Sequence, residues 1–383
     1  MKIVILKNPY KRLVHALIGI KVGWRHEPEG KKGISHLIEH LIFEGNKDYP
    51  EPDDFAKRYG VELNGMTLCE NILFYFTAKR EDWKEILKMF LSIIFYPSFS
   101  KRFEEIKQNE ILTAVVQESD YTPWELAYEW AHNLVFKTDF RKSLGIKKDI
   151  ESITIDDVKN WHRRYFHMQN SFIVLNGDVE KEEVNNLISK MNLPNEGATP
   201  KIQYVLWKER CKKIKRDTQN VELVLGARVD HHPGWQILLE IIGGCEPVKD
   251  EWKNIFGKYT YAMETRLINY RADSGILLYF GSTSFENAEK IKKILPDYLK
   301  DMRIYEEEVE IAKKRIEIKI LKFFESGEDA VFDIPLKMDP GLQYIDYENY
   351  LQEIRDVTLE EIEKLKNKLS SSLDYTVMVG AVC

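Results

Sequence analysis

A short apolar helix that carries two histidines and a glutamate constrains this chain more than any other stretch of it. We expect the helix to begin at Gly33 and to end at Gly45, a residue suited to a C-terminal cap. His36, Glu39 and His40 occupy positions i, i+3 and i+4, so their side chains leave the same face of the helix. The remaining positions are mostly apolar, and burying two imidazoles and a carboxylate among them without partners would cost several kcal/mol.

A bound zinc ion explains this pattern. Two neutral imidazoles one helical turn apart can ligate the same Zn²⁺, and the carboxylate beside them can take a proton from the bound water. The order is H-x-x-E-H, the inverse of the thermolysin-type H-E-x-x-H. Taken alone, the five residues leave a second interpretation open, which is a helix with hydrogen-bonded core histidines and a surface glutamate.

Length and composition narrow the class of protein. A chain of 383 residues exceeds what one core usually fills, and its 44% of hydrophobic residues is enough for two packed domains. The net charge of −6 argues against nucleic acid or an anionic membrane as the main partner, and no stretch is long and apolar enough to span a bilayer. Four cysteines without a C-x-x-C pair, and an N-terminal apolar run too short for a signal peptide, predict a cytoplasmic protein.

The order of the predicted elements repeats once along the chain. Before a linker candidate at Pro194–Pro200, the pattern predicts strands over 13–24, 61–65, 72–77 and 171–177, and helices over 53–59, 81–95, 100–118, 123–136, 154–165 and 180–191. After it, the pattern predicts strands over 221–229, 274–282 and 375–382, and helices over 235–242, 288–302 and 305–324. This repetition predicts a duplicated α+β domain: a zinc-binding domain over 1–195, a linker over 196–215 and a metal-free domain over 216–383.

A catalytic zinc site needs a third protein ligand from another element. The predicted helix over 100–118 offers four glutamates: Glu104, Glu105, Glu110 and Glu118. Its apolar stripe is expected to consist of Ile106, Leu112, Val115 and Val116. Glu118 lies beside that stripe, whereas Glu110 lies about 80° away around an ideal helix.

Residues 36–45, followed by Tyr49 and Pro50, resemble the signature of the pitrilysin/insulinase family of zinc metallopeptidases, which includes the mitochondrial processing peptidases. Further similar stretches are 60–64, Thr67, 97–99 and 114–118 with Pro123. The resemblance implies two homologous domains, each an antiparallel sheet covered by helices, which face each other across a cavity.

The resemblance also implies roles for individual residues. Zn²⁺ would be held by His36, His40 and Glu118, and Glu39 would act as the base in hydrolysis of peptides or unfolded protein segments. The family usually has a second acid, two turns before the glutamate ligand, that orders the site. Ile111 stands at that position here, with Glu110 next to it.

The second half departs from the family pattern. There the family supplies an arginine and, seven residues later, a tyrosine that bind the substrate carbonyl and the developing oxyanion. Tyr261 matches the tyrosine, although an ordinary strand aromatic is an equally good interpretation of it. Asn254 stands in the arginine position, with Lys253 and Lys258 nearby.

A peptide substrate is expected to add as a strand beside the segment that carries Asn64, Gly65 and Thr67, although a plain hairpin edge would have the same sequence. Because the arginine is missing, a second interpretation stays open: a non-catalytic or partly active assembly or regulatory subunit. The chain would then work with a homologous partner in a heterodimer, or as a homodimer. A third interpretation, a zinc-storing or zinc-sensing protein, would need neither Glu39 nor a cavity.

Overall fold

A computed structural model describes residues 1–99, 102–139, 144–205, 207–243, 246–336 and 347–382, without the side chains of 116–120, 324, 333–336 and 347. The strands are β1 (Lys2–Lys7), β2 (Leu13–Ile20), β3 (Leu63–Thr67), β4 (Ile72–Lys79), β5 (Ser171–Gly177), β6 (Cys211–Lys215), β7 (Val221–Val229), β8 (Ala262–Asn269), β9 (Ser274–Thr283) and β10 (Tyr375–Gly380). The helices of the first half are α1 (Ile34–Ile42), α2 (Pro52–Lys57), α3 (Trp83–Phe95), α4 (Phe103–Asp120), α5 (Pro123–Phe136), α6 (Lys147–Ser152), α7 (Ile155–Tyr165) and α8 (Lys181–Ser189). Those of the second half are α9 (Gly234–Ile242), α10 (Asp250–Phe256), α11 (Phe285–Asp301), α12 (Glu306–Ser326), α13 (Glu328–Leu336), α14 (Tyr347–Asp356) and α15 (Leu359–Ser372).

The strands form two five-stranded sheets of the same topology. The first has the order β1-β5-β2-β4-β3 and the second the order β6-β10-β7-β9-β8, so each strand of one sheet has a counterpart in the other. This confirms the predicted α+β fold with two homologous halves. The prediction that both sheets are antiparallel is wrong in part. Each sheet contains one parallel pair, β1 with β5 in the first and β6 with β10 in the second. Neither β1 nor β6 was predicted, since each is an edge strand whose partner lies more than 150 residues away in the sequence.

The first sheet fixes the position of the motif helix. One face of β4 presents Phe74 and Phe76, which contact Phe90 of α3, and Phe74 also contacts Phe43 at the end of the motif helix. The apolar side chains of α1 are all buried in this core: Ile34, Leu37, Ile38, Leu41 and Ile42. Each such side chain contributes about 1.5–3 kcal/mol on burial, so the orientation of α1 is set by its apolar side.

Two helices pack on the sheet that is formed by the other half of the sequence. By its contacts the chain divides into one unit of residues 1–120, 141–204 and 323–336 and another of 121–140, 205–322 and 337–383. Helix α5 therefore packs on β7, β9 and β10 of the second sheet, and α13 packs on β2 and β5 of the first. The predicted boundaries at 195 and 216 follow chain order and do not include this exchange. Among the described helices, none has the length and apolar character that a membrane crossing requires.

Candidate functional site

The two histidines of α1 present their ring nitrogens to each other. The Nε2 atoms of His36 and His40 lie 3.2 Å apart. Two ligands of a tetrahedral zinc ion at the usual Zn–N distance of 2.0–2.1 Å stand about 3.3 Å apart. The pair therefore already has the spacing of two zinc ligands, as the i and i+4 positions predict.

A buried carboxylate from α4 completes this group. Oε2 of Glu110 lies 2.6 Å from Nδ1 of His36, and its Oε1 lies 3.4 Å from Nε2 of His40. Ligand atoms of His36, His40 and Glu110 all lie within 4.8 Å of one another, and this trio is the one group in the described residues with that geometry. A donor set of two imidazoles and a carboxylate is one of those that catalytic zinc sites use.

The contact between His36 and Glu110 shifts the pKa of both side chains. Burial would lower the pKa of His36, but the hydrogen bond and charge of Glu110 raise it above its ordinary value. Burial would raise the pKa of Glu110, but the hydrogen bond from His36 and the charges of the two imidazoles hold it below its usual range.

Helix α4 buries a side that contains charged residues. Phe103, Ile106, Lys107 and Glu110 are buried, and Lys107 donates from Nζ to the carbonyl oxygen of Ile153 at 2.8 Å. The predicted apolar stripe is wrong in part, because Leu112 is 62% exposed and Val115 is exposed too. The helix turns its polar positions inward because hydrogen bonds with α1 and with the loop after α6 satisfy them there.

The predicted third ligand, Glu118, has a side chain outside the described residues. Its backbone belongs to α4, which carries it eight residues beyond Glu110, or about 12 Å along an ideal helix. Its role as a ligand stays a prediction. The structure instead places Glu110 in contact with both imidazoles. In the sequence, Glu110 is the neighbour of Ile111, which occupies the position of the family's second acid.

Glu39 is held between α1 and the edge strand of the sheet. Its side chain is buried, and its Oε2 accepts a hydrogen bond of 2.6 Å from Oγ1 of Thr67 on β3. Gly65 passes so close that a Cβ atom there would lie 2.9 Å from Oε1 of Glu39. Among the described strands β3 pairs only with β4, so it is an edge strand of the first sheet. Asn64 is exposed, one residue out of phase with Gly65 and Thr67 along the strand.

The residues predicted in the second half are all exposed. Lys253 and Asn254 lie on α10, and Lys258 follows that helix. Tyr261 is 92% exposed immediately before β8, where its backbone N–H donates to the carbonyl oxygen of Gly281 at 3.2 Å. Exposure is compatible with contact to a substrate, and the roles of these residues stay predictions.

Glu27 is a residue of this region that sequence reasoning missed as part of the site. It is fully buried, and its carboxylate accepts the backbone N–H groups of Gly33 and Ser35, each at 2.8 Å. The sequence contains a signal for it, since Glu27-Pro28 shortly precedes a glycine at the start of an apolar helix. That signal indicates a turn and does not reveal which backbone groups the carboxylate accepts.

Sequence comparisons find relatives of this chain among zinc peptidases. Residues 2–144 match the profile described as Insulinase (Peptidase family M16). An uncharacterized zinc protease of Rickettsia bellii is 24% identical over 391 residues, which cover 97% of this chain and 93% of that protein. A probable mitochondrial-processing peptidase subunit beta of Schizosaccharomyces pombe is 24% identical over 187 residues, or 48% of this chain and 41% of that one.

Solved structures share the fold over the whole chain. A protease from Helicobacter pylori superposes with a TM-score of 0.82 at 20% identity, covering 98% of this chain and 96% of that one. A peptidase M16 inactive domain from Pseudomonas fluorescens superposes with a TM-score of 0.80 at 17% identity, covering 100% and 95%. The match over residues 2–144 is to the insulinase family, peptidase family M16, which is the family that the sequence of the motif helix resembles, and the solved structures show that the fold is shared.

Proposed function

We propose that this chain is a zinc-dependent endopeptidase that hydrolyses peptides or unfolded protein segments. The observation that supports this most is the grouping of His36 and His40 of α1 with Glu110 of α4. Helix α1 also carries the buried carboxylate of Glu39, between the two histidines in sequence. A relative named as a zinc protease matches 97% of this chain, which makes a hydrolytic use of this arrangement the simplest one.

His36, His40 and Glu110 would hold the zinc ion. When bound, zinc would supply a Lewis acid that polarises the scissile carbonyl. Glu39 accepts a proton from the attacking water and later returns it to the leaving amine. The free edge of β3 binds the substrate backbone as an added strand, so the scissile bond lies alongside Glu39 and is held in register by main-chain hydrogen bonds.

The first experiment measures zinc content and hydrolysis of an unstructured peptide. The wild type should carry about one zinc per chain and cleave the peptide. His40→Ala should lose the metal, because a ligand is removed. Glu39→Gln should keep the metal and lose hydrolysis, because Glu39 is a base and not a ligand. Full hydrolysis by Glu39→Gln would contradict the proposal.

A second experiment identifies the third ligand. Glu110→Gln should lose zinc, whereas Glu118→Gln should retain it if Glu110 is the ligand. Glu104→Gln is the matched control, because Glu104 is exposed on the same helix and should leave zinc binding unchanged. Loss of zinc in Glu118→Gln, with only a 10- to 100-fold weakening in Glu110→Gln, would assign the ligand to Glu118 and an orienting role to Glu110.

A non-catalytic or partly active subunit is the second candidate. The observation that favours it is Asn254, which stands on exposed α10 where the family resemblance implies an arginine. One relative is named as a subunit of a peptidase, and this chain would likewise pair with a homologous partner. Peptide hydrolysis by the isolated chain at a normal rate would exclude this candidate.

A further inference from the structure

The start of α1 has no capping side chain of its own. Its N-cap residue is Gly33, which has φ of +98° and accepts no substitution easily. A Cβ atom at Gly33 would lie 2.9 Å from Cα of Gly145 and from the carbonyl oxygen of Leu144. The usual capping residues, serine, threonine, aspartate and asparagine, are therefore excluded from this position. The first backbone N–H groups of the helix must be satisfied from elsewhere.

Glu27 supplies the missing acceptor. Its Oε2 accepts from the N–H of Gly33 and its Oε1 from the N–H of Ser35, so each carboxylate oxygen serves one donor. The residue itself is fixed, because Nζ of Lys32 donates to its carbonyl oxygen at 2.7 Å and Oδ2 of Asp149 accepts from the N–H of Lys32 at 3.1 Å. Glu27, Ser35 and Lys32 are all buried.

Ser35 directly precedes His36, so the contact fixes the turn that carries this histidine. A carboxylate at the positive end of the helix also stabilises the helical conformation of that turn. His40 lies one turn further along, where intrahelical hydrogen bonds hold the backbone. Loss of the acceptor would therefore disturb His36 more than His40.

We propose that Glu27 is a positioning residue of the zinc centre, which sets the place of His36 by holding the first turn of α1. This inference rests on the proposed zinc site and adds a residue that touches neither metal nor substrate. Residues that orient metal ligands through hydrogen bonds typically change metal affinity by about 10- to 100-fold when replaced.

The decisive variant is Glu27→Gln, which keeps the volume of the side chain. A glutamine has one acceptor oxygen, so one of the two N–H groups would face an amide N–H instead of an acceptor. The matched control is Glu361→Gln, because Glu361 accepts the backbone N–H of Thr358 at 2.7 Å at the start of α15 in the other unit. Both variants weaken the start of one helix, but only one of these helices carries zinc ligands.

Zinc affinity should be measured at pH 8 by competition with a chromophoric chelator, and the unfolding midpoint of each metal-free protein should be measured alongside it. We expect Glu27→Gln to weaken zinc binding by about 10-fold or more. Glu361→Gln should bind zinc like the wild type. Glu27→Asp, which keeps both oxygens on a shorter side chain, should bind with intermediate affinity, and it replaces Glu27→Gln in the comparison if that variant does not fold.

Equal zinc affinity in the wild type and in the Glu27 variants would overturn the inference, whatever happens to the unfolding midpoint. Failure of the proposed function has a different signature. In that case the wild type itself would not bind zinc, and the inference about Glu27 would be overturned together with the zinc site on which it rests.

Discussion

The hydroxyl of Thr67 donates a hydrogen bond of 2.6 Å to Oε2 of Glu39, and this contact joins the edge strand β3 to the helix that carries the histidines. It orients a buried carboxylate whose other oxygen faces Gly65. A substrate strand added to the edge of β3 would thus lie against the same strand that holds the proposed base. Binding and proton transfer would share one rigid support, which is the condition for precise alignment of reacting groups.

Replacing Thr67 with valine should slow hydrolysis without removing zinc. Valine keeps the shape of threonine but cannot donate, and a hydrogen bond to a charged group contributes about 1.5–3 kcal/mol. We therefore expect kcat to fall by about 10-fold or more while the zinc content stays that of the wild type. Thr67→Ser, which restores the hydroxyl, should recover most of the activity. An unchanged kcat in Thr67→Val would show that Glu39 needs no such support.

Gly65→Ala tests the same alignment by crowding. The new Cβ atom would lie 2.9 Å from both Oε1 of Glu39 and Cε2 of Phe43. Because Phe43 packs against Phe74 and Phe90, the carboxylate is the group that must move. A displacement of about 1 Å can cost on the order of 100-fold in rate, so kcat should fall sharply. Zinc content should be unchanged, and a variant as active as the wild type would contradict the close contact.

The stability of the metal-free protein should depend on pH through Glu27. Burial raises the pKa of this carboxyl to about 7, although the N–H groups of Gly33 and Ser35 and the charge of Lys32 act in the opposite direction. A folded pKa above the unfolded value means that the folded state binds the extra proton. Its contribution is therefore complete below about pH 4.5 and is lost as the pH rises through about 7.

The expected loss is on the order of 3 kcal/mol for a shift of this size. Urea unfolding of the metal-free wild type and of Glu27→Gln should be compared at pH 5 and pH 8. The wild type should lose stability relative to the variant as the pH rises, because glutamine does not titrate. The other ionisable side chains are the same in both proteins, so their effects cancel in the difference. A constant difference across this range would show that Glu27 does not titrate there.

Local patterns in the sequence predicted several elements with the bounds that the structure gives them. The bounds of α5, β5 and β7 agree with the structure, because each has a clear periodicity and a turn or cap residue at its ends. The motif helix was predicted a few residues too long, since its last turn ends in a tighter conformation before Gly45. These are properties of a few neighbouring residues, which is why a single sequence contains them.

Properties that depend on distant residues were not predicted. Nothing in the sequence of α4 shows that Lys107 and Glu110 are buried while Leu112 is exposed, because the partners that satisfy them lie on α1 and after α6. The packing of α5 on the second sheet and of α13 on the first was not predicted for the same reason, because it depends on distant residues. Their apolar faces predict burial, but they do not indicate which of two similar sheets will cover them.

Asn254 occupies the position at which the family resemblance implies an arginine that binds the substrate carbonyl. Asparagine is neutral and shorter, so it cannot make the charged, bidentate contact of an arginine. Loss of one such donor costs about 10²–10³ in rate. The isolated chain should therefore be a slow peptidase, with Tyr261 and a neighbouring lysine as its remaining donors.

Two changes should restore the rate if this interpretation is correct. Asn254→Arg should raise kcat of the isolated chain, and mixing the wild type with a homologous chain that carries the arginine should do the same. Glu251→Gln is the matched control, because it adds the same charge to an exposed position of α10 and should have no effect. Activity that appears only on mixing, and that disappears when the partner's arginine is replaced, would support a heterodimer. Full activity of the isolated wild type, unchanged by the partner and by Asn254→Arg, would instead show that this chain needs neither.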